Sequence, residues 1–207
     1  MNRTIKLLMV SDIFLLTGFG LISPILAIFI KDDIAGGTIF AAGLASTVFI
    51  IVKSVIQLPF SKYVDSHDDK VKWLIAGTFI VSTVPFIYIF ADHINMVYAA
   101  QIINGIGSGL AVPTWLGLWS ANLDRKHESF EWSLYSTLTG LGIAATGVIG
   151  AAIAEFIGFA YTFGLVGVMS LVGCFILFGL EMKKEKLEKV KMYHYHKKRK
   201  LLFTKHH

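Results

Sequence analysis

Six long apolar stretches leave this chain one way to fold. They cover residues 7–30, 40–60, 73–91, 96–121, 131–154 and 161–180. Each is long enough to cross about 30 Å of hydrocarbon as a helix. Lipid offers no hydrogen bonds to the backbone, so a spanning segment must satisfy its own N–H and C=O groups. Open sheets are thereby excluded and helices remain. With 55% hydrophobic residues over 207 positions, the bilayer is the solvent for most of the chain. The expected fold class is all-α: a polytopic membrane protein with six transmembrane helices. The first stretch is longer than the apolar region of a cleavable signal peptide, and no A-x-A site follows it.

One short phrase occurs twice. Residues 18–24 read G-F-G-L-I-S-P and residues 107–113 read G-S-G-L-A-V-P. Gly, Gly, Leu and Pro recur at the same spacing, 89 residues apart, and each copy has a polar residue six positions earlier, Asp12 or Gln101. Such a match arises by chance in a Gly-rich membrane chain, or it marks a duplicated unit. Gly and Pro inside membrane helices mark breaks or close helix approach, and in matching positions of two halves they point to a paired site. The first copy lies in span one and the second in span four, which run in opposite directions. The duplication is therefore expected to be an inverted 3+3 repeat.

Basic residues set the expected orientation. Counting loops and termini, seventeen Lys and Arg fall on one side of the six spans and one, Lys31, on the other; Lys53 lies within span two. By the positive-inside rule both termini are expected in the cytoplasm. Trp73, Trp119 and Trp132 near the inner ends, with Tyr98 and Tyr161 near the outer ends, fit aromatic belts. The chain divides into a six-helix unit, 1–181, and a basic cytoplasmic tail, 182–207, whose ten basic and two acidic residues suit an anionic inner leaflet. The four His of that tail read as solvated residues and not as a metal site. Nucleic acid is not an expected partner. Cys174 is the single cysteine, so no intrachain disulfide forms, and it reads as a packing residue.

Within the spans, polar residues are few and therefore informative. Asp12 lies about 8 Å below the membrane surface, at 1.5 Å per residue. A carboxylate there either faces protein and water or snorkels to the interface. Asp12, Leu16, Phe19, Gly20 and Ser23 share one side at helical spacing. Lys53 sits at similar depth on the next span. An Asp12–Lys53 ion pair is the expectation, with independent snorkelling of Lys53 as the alternative. On span four, Gln101, Asn104, Ser108, Trp115 and Trp119 fall on one face, which is expected to meet other helices or a cavity. On span five, Gly140, Ala144, Gly147, Ala151, Ala154 and Gly158 form a small-residue seam that lets another helix approach closely. Pro85 is the one distinguishing residue of span three. Glu155 reads as interfacial.

Several of these stretches resemble the major facilitator superfamily of transporters. The loop after span two carries Asp65 and Lys70, which stand where that family's G-x-x-x-D-R-x-G-R-[RK] signature has its aspartate and its final base; Ser61, Ser66, Asp68 and Asp69 depart from it. Residues 101–107 follow the family's R-x-x-q-G-x-g frame with Gln101 for Arg and Asn104 for Gln. Gly142 and Gly150 match the antiporter signature G-x-x-x-G-P-x-x-G-G, with Thr146, Gly147 and Ala151 in place of Gly, Pro and Gly. Residues 158–163 resemble its G-W-x-W-x-F entry into span six. The resemblance covers residues 1–181 and corresponds to one six-helix half of a twelve-span transporter.

The resemblance implies alternating access around a midplane site. Gly20, Ser23, Asn104, Ser108 and Trp115 are the expected substrate-lining residues, and Asp12 is the expected protonation site. Asp65 would hold the cytoplasmic side closed, with Lys70 and Asp124 as a latch. The expected function is small-molecule transport across the plasma membrane, including proton-coupled efflux, by a chain that needs a second copy or a separate six-helix half. The alternatives are a non-transporting N-terminal fragment and a six-helix scaffold acting through its basic tail. No nucleophile–base set, phosphate loop or metal spacing points to an enzyme, a cofactor or a metal. The implied partners are the lipid bilayer and a small-molecule substrate.

Overall fold

In a computed structural model, residues 1–203 are described, with side-chain surroundings through residue 181. The described residues form seven helices and no strand. They are α1 (Arg3–Ile22), α2 (Leu26–Asp33), α3 (Ile39–Ser66), α4 (Lys70–Ile89), α5 (Ile94–Asn122), α6 (Glu128–Phe156) and α7 (Phe159–Phe203). The helices start where polar caps allow. Asn2 accepts the Thr4 N–H at 3.2 Å and Thr38 accepts the Ala41 N–H at 3.0 Å, each satisfying a donor that the first turn leaves free.

The first expected span is two helices. The chain turns through residues 23–25, where Pro24 has no N–H to continue the ladder, and α2 then resumes. The second copy of the repeated phrase behaves differently. Pro113 lies inside an unbroken α5, and Pro59 and Pro85 are likewise inside α3 and α4.

Five helices are long and apolar enough to cross a membrane: α1, α3, α4, α6 and α7 through Glu181. Helix α5 is 29 residues long and lies outside that group. Its Gln101, Asn104 and Ser108, together with its glycines, lower its hydropathy. Its position explains why this is tolerated, because α3 and α4 both pack along it. Helix α7 continues without a break past the expected start of the tail at 182, as far as Phe203. The tail's side chains lie outside the described surroundings.

Helices α6 and α7 pack on α1, α3 and α4 pack on α5, and α4 meets α7. Two apolar cores result. One gathers Ile22, Phe29, Val84, Tyr88, Val97 and Phe163; the other gathers Ile5, Leu8, Leu74, Trp119 and Leu177. Helices α3 and α6 are largely exposed, with Phe40, Ile51, Val55 and Leu58 on one and Leu141, Val148 and Phe156 on the other. In lipid these side chains need no protein cover.

Glycines set the closest approaches. A Cβ at Gly20 would lie 2.5 Å from Thr146 Oγ1 on α6, and one at Gly18 would lie 3.3 Å from Met169 Cβ on α7. A Cβ at Gly109 would lie 2.8 Å from Ile56 Cβ on α3, and one at Gly107 would lie 2.8 Å from the Gly77 carbonyl oxygen on α4. The seam on α6 is displaced from its expected register. Gly142 abuts Thr17, and a Cβ at Gly150 would collide with the Leu21 backbone. Gly147 sits at the edge of this contact, near Gly20 and Pro24, and Ala151 packs at the margin of the core. Gly140 and Ala144 face outward, and Gly158, at φ 119°, terminates the turn before α7 with open space around it. Two small-residue stripes run side by side on α6, and spacing alone does not say which one turns inward.

Candidate functional site

A cavity of about 570 Å³ opens beside the second core, whose Leu74, Ala111 and Leu177 line it. Helix α1 contributes Asp12, Leu16 and Phe19, α3 contributes Phe49 and Lys53, and α5 contributes Asn104, Ser108 and Trp115. Thr78 comes from α4, Trp132 and Tyr135 from α6, and Leu177 from α7. The α1 and α5 residues recur at helical spacing, which brings each set to one wall. Most of the lining is apolar, so the few polar groups define the chemistry.

The Tyr135 hydroxyl donates to Asp12 Oδ2. Ser108 donates to Asn104 Oδ1 at 3.5 Å along α5, a long contact that leaves both groups with capacity for other partners. Trp115 stacks on Trp119 at 4.8 Å between centroids, and Tyr135 lies 5.0 Å from Trp115. Trp132 completes the cluster, 5.3 Å from Trp119 and 6.1 Å from Trp115. Lys53 places its ammonium 5.9 Å from the Phe49 ring centroid.

The structure thus brings Asp12, Lys53, Asn104, Ser108 and Trp115 to one cavity. It leaves out two expected lining residues. Gly20 is buried against α6, and Ser23 is exposed at the α1–α2 turn. Asp12, Leu16 and Phe19 keep to the cavity, and only the far end of that side leaves it, where Gly20 closes onto α6. Gln101 and Trp119, expected on the α5 polar face, are both buried, at 4% and 0% exposure. Trp119 is consequently an interior residue and not a belt residue, while Trp132, which packs against it, stays exposed at 37%.

The expected Asp12–Lys53 ion pair does not form. The ion pairs found among the described residues include Met1–Asp124, Met1–Glu131 and Lys31–Asp32, and none joins Asp12 to Lys53. The reason is topological. Helix α3 packs on α5, while α1 packs on α6 and α7, so equal depth along consecutive helices does not make these two side chains neighbours. Tyr135, which does meet Asp12, was not distinguished in the sequence. An aromatic residue near a helix end there reads as another belt residue, and only its position 123 residues from Asp12 in a closed bundle reveals the partnership.

At the α1 N-terminal end, the Met1 amino nitrogen lies 2.6 Å from Asp124 Oδ2 and 3.7 Å from Glu131 Oε1. The Asp124 N–H donates to Glu131 Oε2 at 3.2 Å, and Asn2 donates to Asn122 Oδ1 at 3.2 Å. The hydrogen bond from the amino terminus holds the Asp124 carboxyl below the usual carboxylate range, and the same bond raises the amino group above its own ordinary value. The expected Lys70–Asp124 latch is therefore not made here, because Asp124 is engaged by the amino terminus. Lys70 begins α4 and its ammonium reaches toward Gly117. Asp65 is exposed near the end of α3.

Comparison with known proteins gives this geometry a family. The chain is 24% identical over 156 residues to the quinolone resistance protein NorA of Staphylococcus aureus strain Mu50, and equally to that of strain COL. The match covers 75% of this chain and 39% of NorA, and the chain spans about half the length of the curated relatives it matches. In fold it is similar to the crystal structure of the POT family transporter PepTSo, with a TM-score of 0.74 at 16% identity over 86% of this chain and 37% of that one. The family model described as Major Facilitator Superfamily matches residues 8–203. This chain, a multi-pass membrane protein, belongs to the Major Facilitator Superfamily, a family of transporters and not of enzymes.

Proposed function

We propose that this chain is one six-helix half of a secondary transporter that moves a small molecule across the plasma membrane by alternating access. The observation that carries this reading is the central cavity, where Asp12, Lys53, Asn104 and Ser108 converge inside otherwise apolar helices. Ionisable groups at membrane depth are costly, and they mark substrate or ion pathways. Asn104, Ser108 and Trp115 line the path, and Asp12 is the protonation site that couples transport to a proton gradient. The relatives named for quinolone resistance favour efflux as the direction.

The glycine contacts support an inverted 3+3 plan. Gly18 approaches α7 and Gly20 approaches α6, while Gly107 approaches α4 and Gly109 approaches α3. Exchanging α1 with α5, α3 with α6 and α4 with α7 carries each contact onto its counterpart. Both termini lie in the cytoplasm in this reading, which the basic loops and tail support by the positive-inside rule. Asp65 and Lys70 act at the cytoplasmic gate, with Asp124 restrained by the amino terminus. The second half is another copy of this chain or a separate six-helix chain seated against the exposed faces of α3 and α6.

The test is flux in proteoliposomes against a panel of small aromatic substrates, with a proton gradient of either sign. Gradient-driven uptake or efflux that is lost in Asp12→Asn and Asn104→Ala, with normal membrane insertion, supports the reading. The chain's short span of its relatives favours a second reading, a fragment that does not transport alone. Absent flux by the chain, restored on co-expression with a six-helix partner, separates the two.

A further inference from the structure

Helices α4 and α7 pack side by side, and a groove of about 370 Å³ opens between them, away from the central cavity. Helix α4 lines it with Lys72, Ile75, Ala76 and Phe79, whose helical spacing puts them on one face. Helix α7 adds Phe178 and Glu181. Phe79 and Phe178 are 54% and 47% exposed, and Phe175 stacks on Phe178 at 6.1 Å. The groove therefore faces outward and has an aromatic wall.

Its two ends differ in character. Lys72 stands in the first turn of α4, and Glu181 closes the apolar length of α7, so both charges lie at one end. From Lys72 to Phe79 the helix rises about 10 Å, which carries the groove from headgroup level into hydrocarbon. Glu181 Oε2 is buried and accepts no hydrogen bond. No ion pair found among the described residues takes up Glu181 or Lys72. A buried carboxylate oxygen without a donor is costly, so the site calls for an N–H that the described residues do not supply.

We propose that this groove holds one phosphatidylethanolamine molecule, with its ammonium donating to Glu181, its phosphate at Lys72 and an acyl chain along Phe79 and Phe178. The order of charges and apolar surface matches that lipid from headgroup to tail. Phosphatidylglycerol can meet Lys72 but sets its negative charge beside the Glu181 carboxylate, with no cation to offset it. Phosphatidylcholine has both charges, yet its quaternary nitrogen carries no N–H and leaves the buried oxygen without a donor. Soluble phosphoethanolamine lacks the chain that the apolar end takes. The groove is built from α4 and α7 alone, so a second half seated on α3 and α6 leaves it open to lipid.

The experiment titrates the full chain, stripped of lipid in detergent, with four lipids of matched acyl chains. They are phosphatidylethanolamine, its N,N-dimethyl derivative, phosphatidylcholine and phosphatidylglycerol, and bound lipid is measured by native mass spectrometry. Phosphatidylethanolamine should bind about tenfold or more tighter than phosphatidylcholine, the scale of one hydrogen bond to a charged group. The dimethyl derivative, which keeps one N–H, should bind like phosphatidylethanolamine. Glu181→Met should erase the difference between the ethanolamine and choline headgroups. Lys72→Met should weaken both and preserve their ratio, and Lys72→Arg should keep parent binding. Phosphatidylcholine or phosphatidylglycerol bound by the parent as tightly as phosphatidylethanolamine overturns the proposal, and so does an ethanolamine preference that survives Glu181→Met. If that variant fails to fold, the headgroup series on the parent chain still decides. The result is independent of the transport reading, because neither Lys72 nor Glu181 lines the central cavity.

Discussion

The Tyr135 hydroxyl donates to the Asp12 carboxylate and so joins α6 to α1 across the wall of the cavity. Removing one partner and removing the other are unequal changes. Tyr135→Phe leaves a carboxylate in the cavity without its donor, at a cost of about 1–3 kcal/mol; Asp12→Asn keeps an acceptor and should cost less. Thermal melts of the two single variants and the double variant form a cycle, with an expected coupling of about 0.5–3 kcal/mol. A coupling near zero would show that the bond contributes nothing to the joint.

The α6 seam makes a prediction of opposite signs on one helix. Gly150→Val drives a side chain into the Leu21 backbone and should destabilise by about 3 kcal/mol or more. Gly140→Ala enters open space within a helix and should stabilise by about 0.5–1 kcal/mol. Equal destabilisation by both would place the contact on the other stripe.

The amino-terminal ion pair sets a pH window. The Asp124 carboxyl is depressed by its hydrogen bond to the amino terminus, so its contribution is present above the ordinary carboxylate range and is lost as pH falls through the lowered value. The amino group is raised, so its contribution is fully present below the ordinary amino-terminal value of about 8 and is lost as pH rises through the raised one. Protection against hydrogen exchange at the start of α1, taken relative to the intrinsic exchange rate at each pH, should be greatest between these limits. Asp124→Asn should weaken the alkaline loss of protection, and amino-terminal acetylation should mimic high pH.

Orientation is open to direct labelling. In a Cys174→Ala background, Asp32→Cys lies exposed at the end of α2 and Arg125→Cys in the turn before α6. An impermeant maleimide added to intact cells should label the first and not the second. Labelling of Arg125→Cys alone would invert the assignment of both termini.

Much of the cavity was legible from residue spacing. Asn104, Ser108 and Trp115 share a wall because a helix returns every 3.6 residues, and Asp12 lies in the cavity because lipid excludes a carboxylate. Spacing also predicted Gly20 and Ser23 for the same wall, and there it failed. The turn at Pro24 takes Ser23 to the surface, and close contact with Thr146 removes Gly20 from the cavity.

By itself, the order of residues determined that this chain is helical, that it belongs in lipid and that it repeats a Gly-Gly-Leu-Pro phrase at helix-packing positions. These follow from local properties: hydropathy, backbone hydrogen bonding and the absence of a side chain on glycine. Tertiary structure alone decided which charges meet. Asp12 takes Tyr135 from α6 and leaves Lys53 to the Phe49 ring, because a pair in a bundle depends on which helices are neighbours, and depth along consecutive helices does not specify that.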